Sequence, residues 1–293
     1  MVLLVITSTS LPLKLFRKGK VRDTYDYGQN LLMVATDRLS AFDVVFNEGI
    51  PFKGIILTQL SLFWFDKLKD LVKNHLISTE IPSVLPKYLK DRSMIVKRAK
   101  PLPAEFIVRG YLAGSGLKDY LATGKISGIE LPSGLKNSSK LPHPILTPST
   151  KAEKGHDQNI TAEELKALIG EETYAKAESM AIKIYKRAAE FAEEKGIILA
   201  DTKFEFGKYE DDIILIDEVL TPDSSRYWPK ERYKEGENQE SYDKQYVRDY
   251  LEKIGWNKQP PPPSLPQHII ENTSKKYIEI YTKLTGKHWD FGD

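Results

Sequence analysis

A glycine-rich segment, RGYLAGSG at residues 109–116, carries the residue types that bind a phosphate group. Arg109 ends a short apolar run that is typical of a strand, and Ser115 stands where a helix could begin. Free backbone N–H groups at a helix start, a hydroxyl and a guanidinium together suit a phosphate monoester. The same spacing also fits a plain strand–turn–helix connection in which Ser115 only caps the helix. Both interpretations stay open on these residues alone.

A second candidate phosphate-binding segment is KGKVRD at residues 18–23, where three cations surround one glycine. Glycine lets the backbone approach a phosphate closely, and Lys20 and Arg22 would meet its charge. The segment is neither a P-loop nor a dinucleotide-binding GxGxxG motif. An ordinary solvated turn is the alternative that the sequence leaves open.

A candidate metal site lies on two neighbouring strand-like segments. In DTKFEFG, residues 201–207, a period of two places Asp201, Lys203 and Glu205 on one face and the phenylalanines on the other. The next apolar run ends at Asp217, and two carboxylates on paired strands, together with nucleotide phosphates, commonly hold Mg²⁺. Whether Glu205 and Asp217 share a face depends on the hairpin register, which the sequence does not give. A solvated face with ion pairs is the alternative.

Further polar clusters follow apolar runs elsewhere in the chain. Residues 37–43, DRLSAFD, bring two carboxylates, a guanidinium and a hydroxyl to the end of a predicted strand, a position that often faces a ligand. The alternative is a turn or helix-capping network around Asp37 or Ser40. The charged segments at residues 223–226 and 243–248 are, taken alone, typical of surface loops.

The composition excludes several other kinds of chemistry. Lys plus Arg number 43 and Asp plus Glu number 41, a balance that argues against a dedicated nucleic-acid binder. The chain has no cysteine, which excludes disulfides, thiolate metal sites and cysteine nucleophiles. Its five histidines lack a metal-binding spacing such as HExxH. No apolar run is long enough for a signal peptide or a membrane span, so we expect no membrane partner and, by default, a cytoplasmic location.

The elements that would position these residues are those of an α+β chain of about two domains. A capping box, TAEE at residues 161–164, predicts a helix start. Residues 126–160 are rich in Gly, Pro, Ser and Asn and predict one long loop, of a length that is usually functional or disordered. Apolar patterning predicts helices over residues 58–76, 115–124, 171–195 and 267–285, and strands over residues 31–35, 94–96, 105–109, 197–200, 202–206 and 213–219, with the last two strands forming a hairpin.

Eight segments that span residues 19–251 carry a family resemblance. In chain order they read GKVRDTYD, ATDRLSAFDVV, GIILTQLSLFWF, EFIVRGYLAGSG, STKAEKGHDQNI, DTKFEFG, IDEVLTPDSSRYW and SYDKQYVRDYL. One such string would be a weak signal, whereas eight in one order are specific. Together they resemble the long form of the phosphoribosylaminoimidazole-succinocarboxamide synthase (SAICAR synthetase) family.

The resemblance implies an ATP-dependent ligase of purine biosynthesis. It would join L-aspartate to the carboxylate of carboxyaminoimidazole ribonucleotide (CAIR) and release ADP and phosphate, with an acyl phosphate as the activated form of the carboxylate. The implied fold is α+β. A β-rich N-terminal domain over residues 1–102, similar to a kinase small lobe, and a larger α+β domain over residues 103–293 would hold the nucleotide in a cleft between them.

The resemblance also implies a role for each candidate residue, matched position by position. The implied ATP-binding residues are Lys20, Arg22, Lys100 and Lys151, and the implied Mg²⁺ ligands are Glu205, Asp217 and Asp157. The CAIR 5′-phosphate would contact Arg109, Ser115 and Arg226. The implied catalytic residues between the two ligands are Asp201 and Lys203, and the CAIR and aspartate end of the site would include Ser40, Asp43, Lys244 and Arg248.

Two other function classes remain open on the sequence. A small-molecule kinase with the same nucleotide cleft would release ADP without aspartate, and a non-enzymatic nucleotide-binding module would bind ATP without turnover. The expected partners are the small molecules CAIR and L-aspartate, and the chain is expected to be a monomer or a homodimer.

Overall fold

The computed structural model describes residues 5–150 and 158–291. The N-terminal part of the chain is made mainly of short strands. In chain order its elements are β1 (Leu15–Lys18), β2 (Arg22–Tyr27), β3 (Asn30–Ala35), β4 (Arg38–Ala41), β5 (Val44–Gly49), α1 (Lys53–Lys67), β6 (Leu76–Ser78), a short 3₁₀ turn (Lys87–Leu89) and β7 (Ser93–Lys97).

The rest of the chain combines longer strands with helices, as expected for an α+β protein. Its elements are β8 (Lys100–Pro101), β9 (Ala104–Tyr111), α2 (Gly114–Thr123), β10 (Lys125–Ile126), β11 (Ile129–Glu130), β12 (Lys140–Thr150), α3 (Ala162–Ile169), α4 (Glu171–Glu194), β13 (Ile197–Tyr209), β14 (Asp212–Ile216), β15 (Ser225–Pro229), a 3₁₀ turn (Lys230–Arg232), α5 (Gln245–Lys253) and α6 (Gln267–Thr285).

The first sheet has five antiparallel strands in the order β1-β2-β3-β7-β6. Its central strand β3 is apolar, and Leu32 and Val34 on it are fully buried. Every residue of the edge strand β1 is exposed. Strands β4 and β5 form a separate hairpin, and its apolar side chains pack against α5 and α6.

The second sheet is organised around the long strand β13. The sheet runs β12-β9-β13-β14, and β8 and β15 also pair with β13. The first half of β13 pairs with β9 and β15, whereas its second half pairs with β14 and β8. One strand therefore carries side chains into two neighbouring regions of the molecule.

Alternation along β13 separates a core face from a polar face, as the sequence predicts. Phe204 and Phe206 are fully buried, and Phe206 packs edge-on against Phe106 with ring centroids 5.1 Å apart. This face belongs to the main hydrophobic core, which also includes residues of α1, α4 and α6. The polar residues of β13 point the other way and become the starting point of the candidate site.

Hydrogen bonds join the two sheets at β14. Asn74 forms an isolated parallel bridge with Leu215, and the N–H of His75 donates to the Leu215 carbonyl at 3.1 Å. The first sheet is therefore fixed against β14.

Two predictions about the elements are wrong. The first helix begins at Lys53 rather than Thr58 and ends at Lys67, and Leu76 starts a strand. Its start is fixed from a distance, because the carboxylate of Asp37 accepts the N–H of Gly54 at 2.8 Å. The sequence pattern within the helix contains no sign of this contact.

The long loop predicted over residues 126–160 is also wrong, because β11 and the 11-residue strand β12 lie within this range. Pro142 and Pro144 hide this strand in the sequence, since proline has no N–H to donate to a ladder. They fall where the pairing of β12 with β9 shifts register, between Lys140 and Ile145. The prolines therefore occupy an irregular stretch and do not end the strand.

Other predicted elements are confirmed. The capping box is present, with the Thr161 hydroxyl accepting the Glu164 N–H and the Glu164 carboxylate accepting the Thr161 N–H. The last helix spans Gln267–Thr285, as predicted. None of the helices in the described part of the chain is both long and apolar enough to cross a membrane.

Candidate functional site

Three charged residues lie side by side on neighbouring strands of the second sheet. The register places Asp201 of β13 opposite Arg109 of β9 on one side and opposite Arg226 of β15 on the other. Both guanidiniums donate to the same carboxylate oxygen, Oδ2 of Asp201, at 3.0 Å from Arg109 and 2.6 Å from Arg226. These three side chains therefore carry a net positive charge, and Asp243 acts on Arg226 at longer range.

The side chain of Arg109 is buried and is fixed by several hydrogen bonds. Its side chain is 2% exposed, and it donates to the Thr147 hydroxyl at 2.9 Å and to the Ser115 hydroxyl at 3.0 Å. Burial lowers the pKa of Arg109, and the adjacent Asp201 partly offsets this effect. The guanidinium of Arg226 is more accessible, at 22% exposure, and Asp201 raises its pKa. Arg226 is therefore the better placed of the two to contact a ligand.

The start of α2 lies directly against these two arginines. Gly114 has a φ of +57°, and a Cβ at this position would lie 2.3 Å from a guanidinium nitrogen of Arg226. A Cβ on Gly116 would lie 3.1 Å from Nε of Arg109. Only glycine lets the helix start approach so closely. The unpaired N–H groups of that helix start add to the positive potential, which favours an anion.

These groups open into a cleft of about 220 Å³. Its lining also contains Asp223, Ser224 and Asp243. Seven residues that the sequence singles out line this one cleft, namely Arg109, Ser115, Asp201, Lys203, Arg226, Lys244 and Arg248. The structure therefore brings together the candidate catalytic residues and most of the candidate substrate-binding residues.

Lys203 reaches the cleft beside a carboxylate that the sequence reasoning missed. Its Nζ donates to Glu105 Oε1 at 2.6 Å, across the β9–β13 pair. Burial alone would lower the pKa of Lys203, but Glu105 outweighs it and the pKa is raised. Lys203 is therefore a fixed positive charge in the cleft at neutral pH.

A second charged cluster surrounds Asp223, at another part of the same cleft. Asp223 Oδ2 lies 2.7 Å from Lys53 Nζ and 3.1 Å from Lys244 Nζ, and Oδ1 accepts the Tyr277 hydroxyl at 2.7 Å. Although burial opposes it, Lys244 and Lys53 hold the pKa of Asp223 well below its usual range. Burial lowers the pKa of Lys244 to about 8.

The candidate metal ligands lie near the β13–β14 hairpin. Glu205 pairs with Ile216, so strict alternation would put Asp217 on the opposite face from Glu205. Asp217 instead leaves the strand with a φ of +62°, which frees its side chain from that alternation. Its carboxylate lies 2.6 Å from Arg22, and the neighbouring Glu218 lies 3.0 Å from the same guanidinium.

Arg22 is consequently part of a buried ion-pair group. Its side chain is 15% exposed, and despite its burial the two carboxylates Asp217 and Glu218 raise its pKa. Glu218 was passed over by the sequence reasoning as a site residue, although it follows Asp217 directly. Within the described part of the chain no group of three or more His, Asp or Glu side chains is arranged to hold a metal ion.

The remaining candidates lie outside the cleft or outside the described residues. Ser40 is buried on β4, and Asp43 follows it in the same hairpin and pairs with Lys20. Lys100 is exposed on β8, opposite Lys208. Two candidates, Lys151 and Asp157, lie outside the described residues.

Asp37 has the structural role that the sequence left open as the alternative. It is fully buried, its carboxylate lies 3.1 Å from Arg92, and it accepts the backbone N–H groups of Ile6 and Gly54. The neighbouring Arg38 is likewise tied to Asp23 at 2.7 Å. These charges hold the β4–β5 hairpin and the start of α1.

The residues that sequence reasoning missed are Lys53, Glu105, Glu218, Asp223 and Tyr277. Asp223 and Glu105 lie within segments that had been noted for other residues, so a local signal existed. Lys53 and Tyr277 stand in ordinary amphipathic helices, and only long-range packing brings them to Asp223. No local pattern marks them.

Comparison with known proteins shows which family the chain belongs to. A family model described as SAICAR synthetase matches residues 15–263. The phosphoribosylaminoimidazole-succinocarboxamide synthase of Geotalea uraniireducens is 56% identical over 97% of this chain and 98% of its own length. That of Thermodesulfovibrio yellowstonii is 59% identical over 96% of this chain and 99% of its own length.

Solved structures give the same result. The SAICAR synthase from Saccharomyces cerevisiae, complexed with SAICAR, matches with a TM-score of 0.89 and 47% identity over 97% of this chain and 99% of that one. A SAICAR synthetase in complex with ADP matches with a TM-score of 0.71 and 28% identity over 94% of this chain and 99% of that one. The chain therefore belongs to the SAICAR synthetase family, which catalyses the ATP-dependent joining of L-aspartate to CAIR in purine biosynthesis.

Proposed function

We propose that the chain carries out this ligation by phosphorylating the CAIR carboxylate at the cleft around Asp201. The observation that carries the proposal is the row formed by Arg109, Asp201 and Arg226, with its net positive charge beside the start of α2. Such a site fits the 5′-phosphate of a ribonucleotide. The SAICAR complex of the yeast enzyme, which is 47% identical, supports a ribonucleotide ligand.

The nucleotide would lie between a β-rich part over residues 1–102, similar to a kinase small lobe, and a larger part over residues 103–293. Its phosphates would meet Lys20, Arg22 and Lys151, and the adenine would lie along residues 98–100, which include Lys100. The ADP complex of a solved relative supports the use of ATP. The strands of the first sheet end at Lys97 and those of the second begin at Lys100, which supports a division near residues 98–102.

The oxygen ligands near the nucleotide phosphates suit Mg²⁺. Glu205 and Asp217 would hold the ion together with phosphate oxygens, and Asp157 would serve a second ion. The carboxylates of Asp217 and Glu218 lie 2.6 and 3.0 Å from the one guanidinium of Arg22, so one negative charge is in excess there and supports a cation nearby. A bound Mg²⁺ would supply charge neutralisation on the transferring phosphoryl group.

The reaction then needs two displacements. An oxygen of the CAIR carboxylate attacks the γ-phosphorus of ATP and ADP leaves, which gives an acyl phosphate. The amine of aspartate, after losing a proton, attacks the acyl carbon and phosphate leaves with the attacking oxygen. Lys203, held by Glu105, would offset the negative charge that develops between the two ligands. Neither displacement requires a protein nucleophile.

The proposal also includes the remaining substrate-binding residues, the location and the oligomeric state. Ser40, Asp43, Lys244 and Arg248 would lie around the CAIR and aspartate end. A cytoplasmic location follows from the substrates, since ATP and CAIR carry phosphates and do not cross membranes unaided. Whether the chain is a monomer or a homodimer stays a prediction.

The experiment that tests this function measures ADP release with CAIR, aspartate, ATP and Mg²⁺, leaving out one component at a time. A ligase requires all four for sustained turnover and forms one SAICAR for each ADP. ADP release at the full rate without aspartate would instead identify a kinase or an ATPase. ATP binding without any turnover would identify a nucleotide-binding module.

A further inference from the structure

Asp223 shares its two carboxylate oxygens among three groups from three parts of the chain. Oδ2 faces the ammonium groups of Lys53 on α1 and Lys244 at the start of α5, at 2.7 and 3.1 Å. Oδ1 accepts the Tyr277 hydroxyl of α6 at 2.7 Å. The side chains of Lys53 and Asp223 are 0% and 2% exposed, so solvent does not screen the cluster.

The cluster contains more positive than negative charge. Lys53 and Lys244 share the single carboxylate of Asp223, and Arg248 adds a further positive charge while Glu218 acts at longer range on Lys244. Lys53 is buried behind Asp223, whereas Lys244 and Arg248 line the cleft. The excess charge is therefore directed to the cleft, where an anion would neutralise it.

The C-terminal helix brings Tyr277 to this cluster. Tyr277 is fully buried, and Ser274, three residues earlier, donates its hydroxyl to the carbonyl of Pro51 at 2.9 Å. This contact docks α6 beside the start of α1, two residues before Lys53. Tyr277 lies beyond residues 15–263, the segment that the family model matches. The Asp223 cluster thus includes a residue from a helix outside that segment.

We propose that Tyr277 is a positioning residue that acts through Asp223 to hold the Lys244 ammonium in the cleft, where it binds a carboxylate of the incoming aspartate. The inference rests on the proposed function of the cleft. With one oxygen of Asp223 fixed by Tyr277, the other is left to the two lysines, and this sets the position of Lys244. Tyr277 itself touches no substrate.

The test compares Tyr277→Phe with Tyr281→Phe, a matched change one turn further along α6. Tyr277→Phe removes only the hydroxyl, so the KM for aspartate should rise by about 2- to 10-fold, the range expected for one hydrogen bond. The KM for ATP should stay within twofold, and Tyr281→Phe should leave all KM values unchanged. Equal rises for aspartate and ATP, or an unchanged KM for aspartate, would overturn the proposal.

A pH profile supplies a readout that a merely structural role would not change. Succinate is the probe, because it has the two carboxylates of aspartate but no amine that titrates near pH 8. Its competitive inhibition of the wild-type enzyme should weaken as the pH rises through about 8, where Lys244 loses its proton. In Tyr277→Phe the transition should move to higher pH, since Asp223 then gives more of its charge to Lys244.

An identical transition in the two proteins, or no inhibition of the wild-type enzyme by succinate, would contradict the role of Tyr277. Both proteins are compared as full chains with similar melting temperatures. Failure of the proposed function gives a different result, since the wild-type enzyme would then release ADP without requiring aspartate. The two failures are therefore distinguishable.

Discussion

Asp201 accepts hydrogen bonds from Arg109 and Arg226 through one oxygen, and this sharing determines what the row can bind. A carboxylate that neutralised a single arginine would leave no net charge for a ligand. With two arginines and a nearby hydroxyl, the row retains one positive charge and several N–H donors. A phosphate dianion satisfies both needs, which a neutral ligand does not.

Replacing Arg226 with alanine should weaken the binding of CAIR much more than the binding of ATP. A hydrogen bond to a charged group contributes about 1.5–3 kcal/mol, so the Kd for CAIR should rise about 10- to 150-fold. Binding constants for both ligands, measured by calorimetry, check this. Arg232→Ala serves as the control, because Arg232 lies on an exposed 3₁₀ turn and pairs with Glu240. Equal losses for CAIR and ATP would contradict separate pockets.

Lys20→Ala should show the opposite selectivity. Lys20 lies at the first sheet and pairs with Asp43, away from the residues that line the cleft. Its loss should weaken ATP binding and change the Kd for CAIR by less than about twofold. A partly exposed lysine contributes little to the binding of a ligand that it does not contact. A larger effect on CAIR than on ATP, in the same calorimetric assay, would move Lys20 to the other ligand.

Glu205→Gln should nearly abolish turnover at limiting Mg²⁺, since it removes a negatively charged oxygen from a site with few protein ligands. Excess Mg²⁺ should restore part of the rate. Asp212→Asn, at the far end of the same hairpin, is the matched control, because Asp212 is exposed and pairs with Lys73. A Glu205→Gln variant with a normal rate and a normal Mg²⁺ dependence would show that Glu205 is not a ligand.

The start of α2 and strand β15 have to approach each other closely for the anion site to exist. Gly114→Ala should therefore raise the KM for CAIR by at least about tenfold, which is comparable to losing the Arg226 contact. The reason is that the new Cβ would lie 2.3 Å from the Arg226 guanidinium, so the guanidinium has to move. Gly124→Ala at the other end of the helix has the same positive-φ strain, with a φ of +73° and no atom within 4 Å of its Cβ. It should lower stability and leave the KM unchanged. Equal KM values for the two variants would contradict the role of close approach.

The sequence predicts elements best where the information is local. The alternation in DTKFEFG correctly separates Phe204 and Phe206 from the polar face, and the Thr161 capping box correctly starts a helix. The start of α1 was misplaced because a distant carboxylate, Asp37, fixes it. The sequence misses strand β12 because Pro142 and Pro144 occupy an irregular stretch of the ladder that only the partner strand defines.

In the candidate site too, the sequence predicts local features and misses those that depend on distant parts of the chain. Arg109 and Ser115 were recognisable because a strand, a glycine-rich turn and a helix start follow each other along the chain. The sharing of Asp201 with Arg226 depends on a register between distant strands, and the Lys53–Asp223–Tyr277 contacts depend on helix packing. Patterns in a single sequence contain neither kind of information.

His75 lies where the two sheets meet, and its burial couples the stability of the whole molecule to pH. Burial, aided by the nearby charge of Arg22, lowers the pKa of His75 from 6.5 to about 3. The folded state therefore keeps the neutral imidazole, whereas the unfolded chain takes up a proton as the pH falls below 6.5. This contribution to stability is fully present above pH 6.5 and is lost progressively towards pH 3.

The free energy of unfolding should accordingly decrease as the pH is lowered from 6.5 to 5, a range in which Asp and Glu titrate little. The slope should approach about 1.4 kcal/mol per pH unit. His75→Asn should flatten this slope, because the variant has no group to protonate. His143→Asn removes an exposed histidine of β12 and should leave the slope as it is. Urea titrations at several pH values give the slopes, and an unchanged slope in His75→Asn would contradict the assignment.

In the proposed reaction, the molecule activates the CAIR carboxylate by phosphorylation and then transfers its acyl group to aspartate. The most direct test uses CAIR labelled with ¹⁸O in that carboxylate and measures the isotope content of the released phosphate by mass spectrometry. The attacking carboxylate oxygen stays on phosphorus when the amine displaces it from carbon, so one labelled oxygen should appear in each phosphate. Unlabelled phosphate, released at the rate of SAICAR formation, would contradict the account.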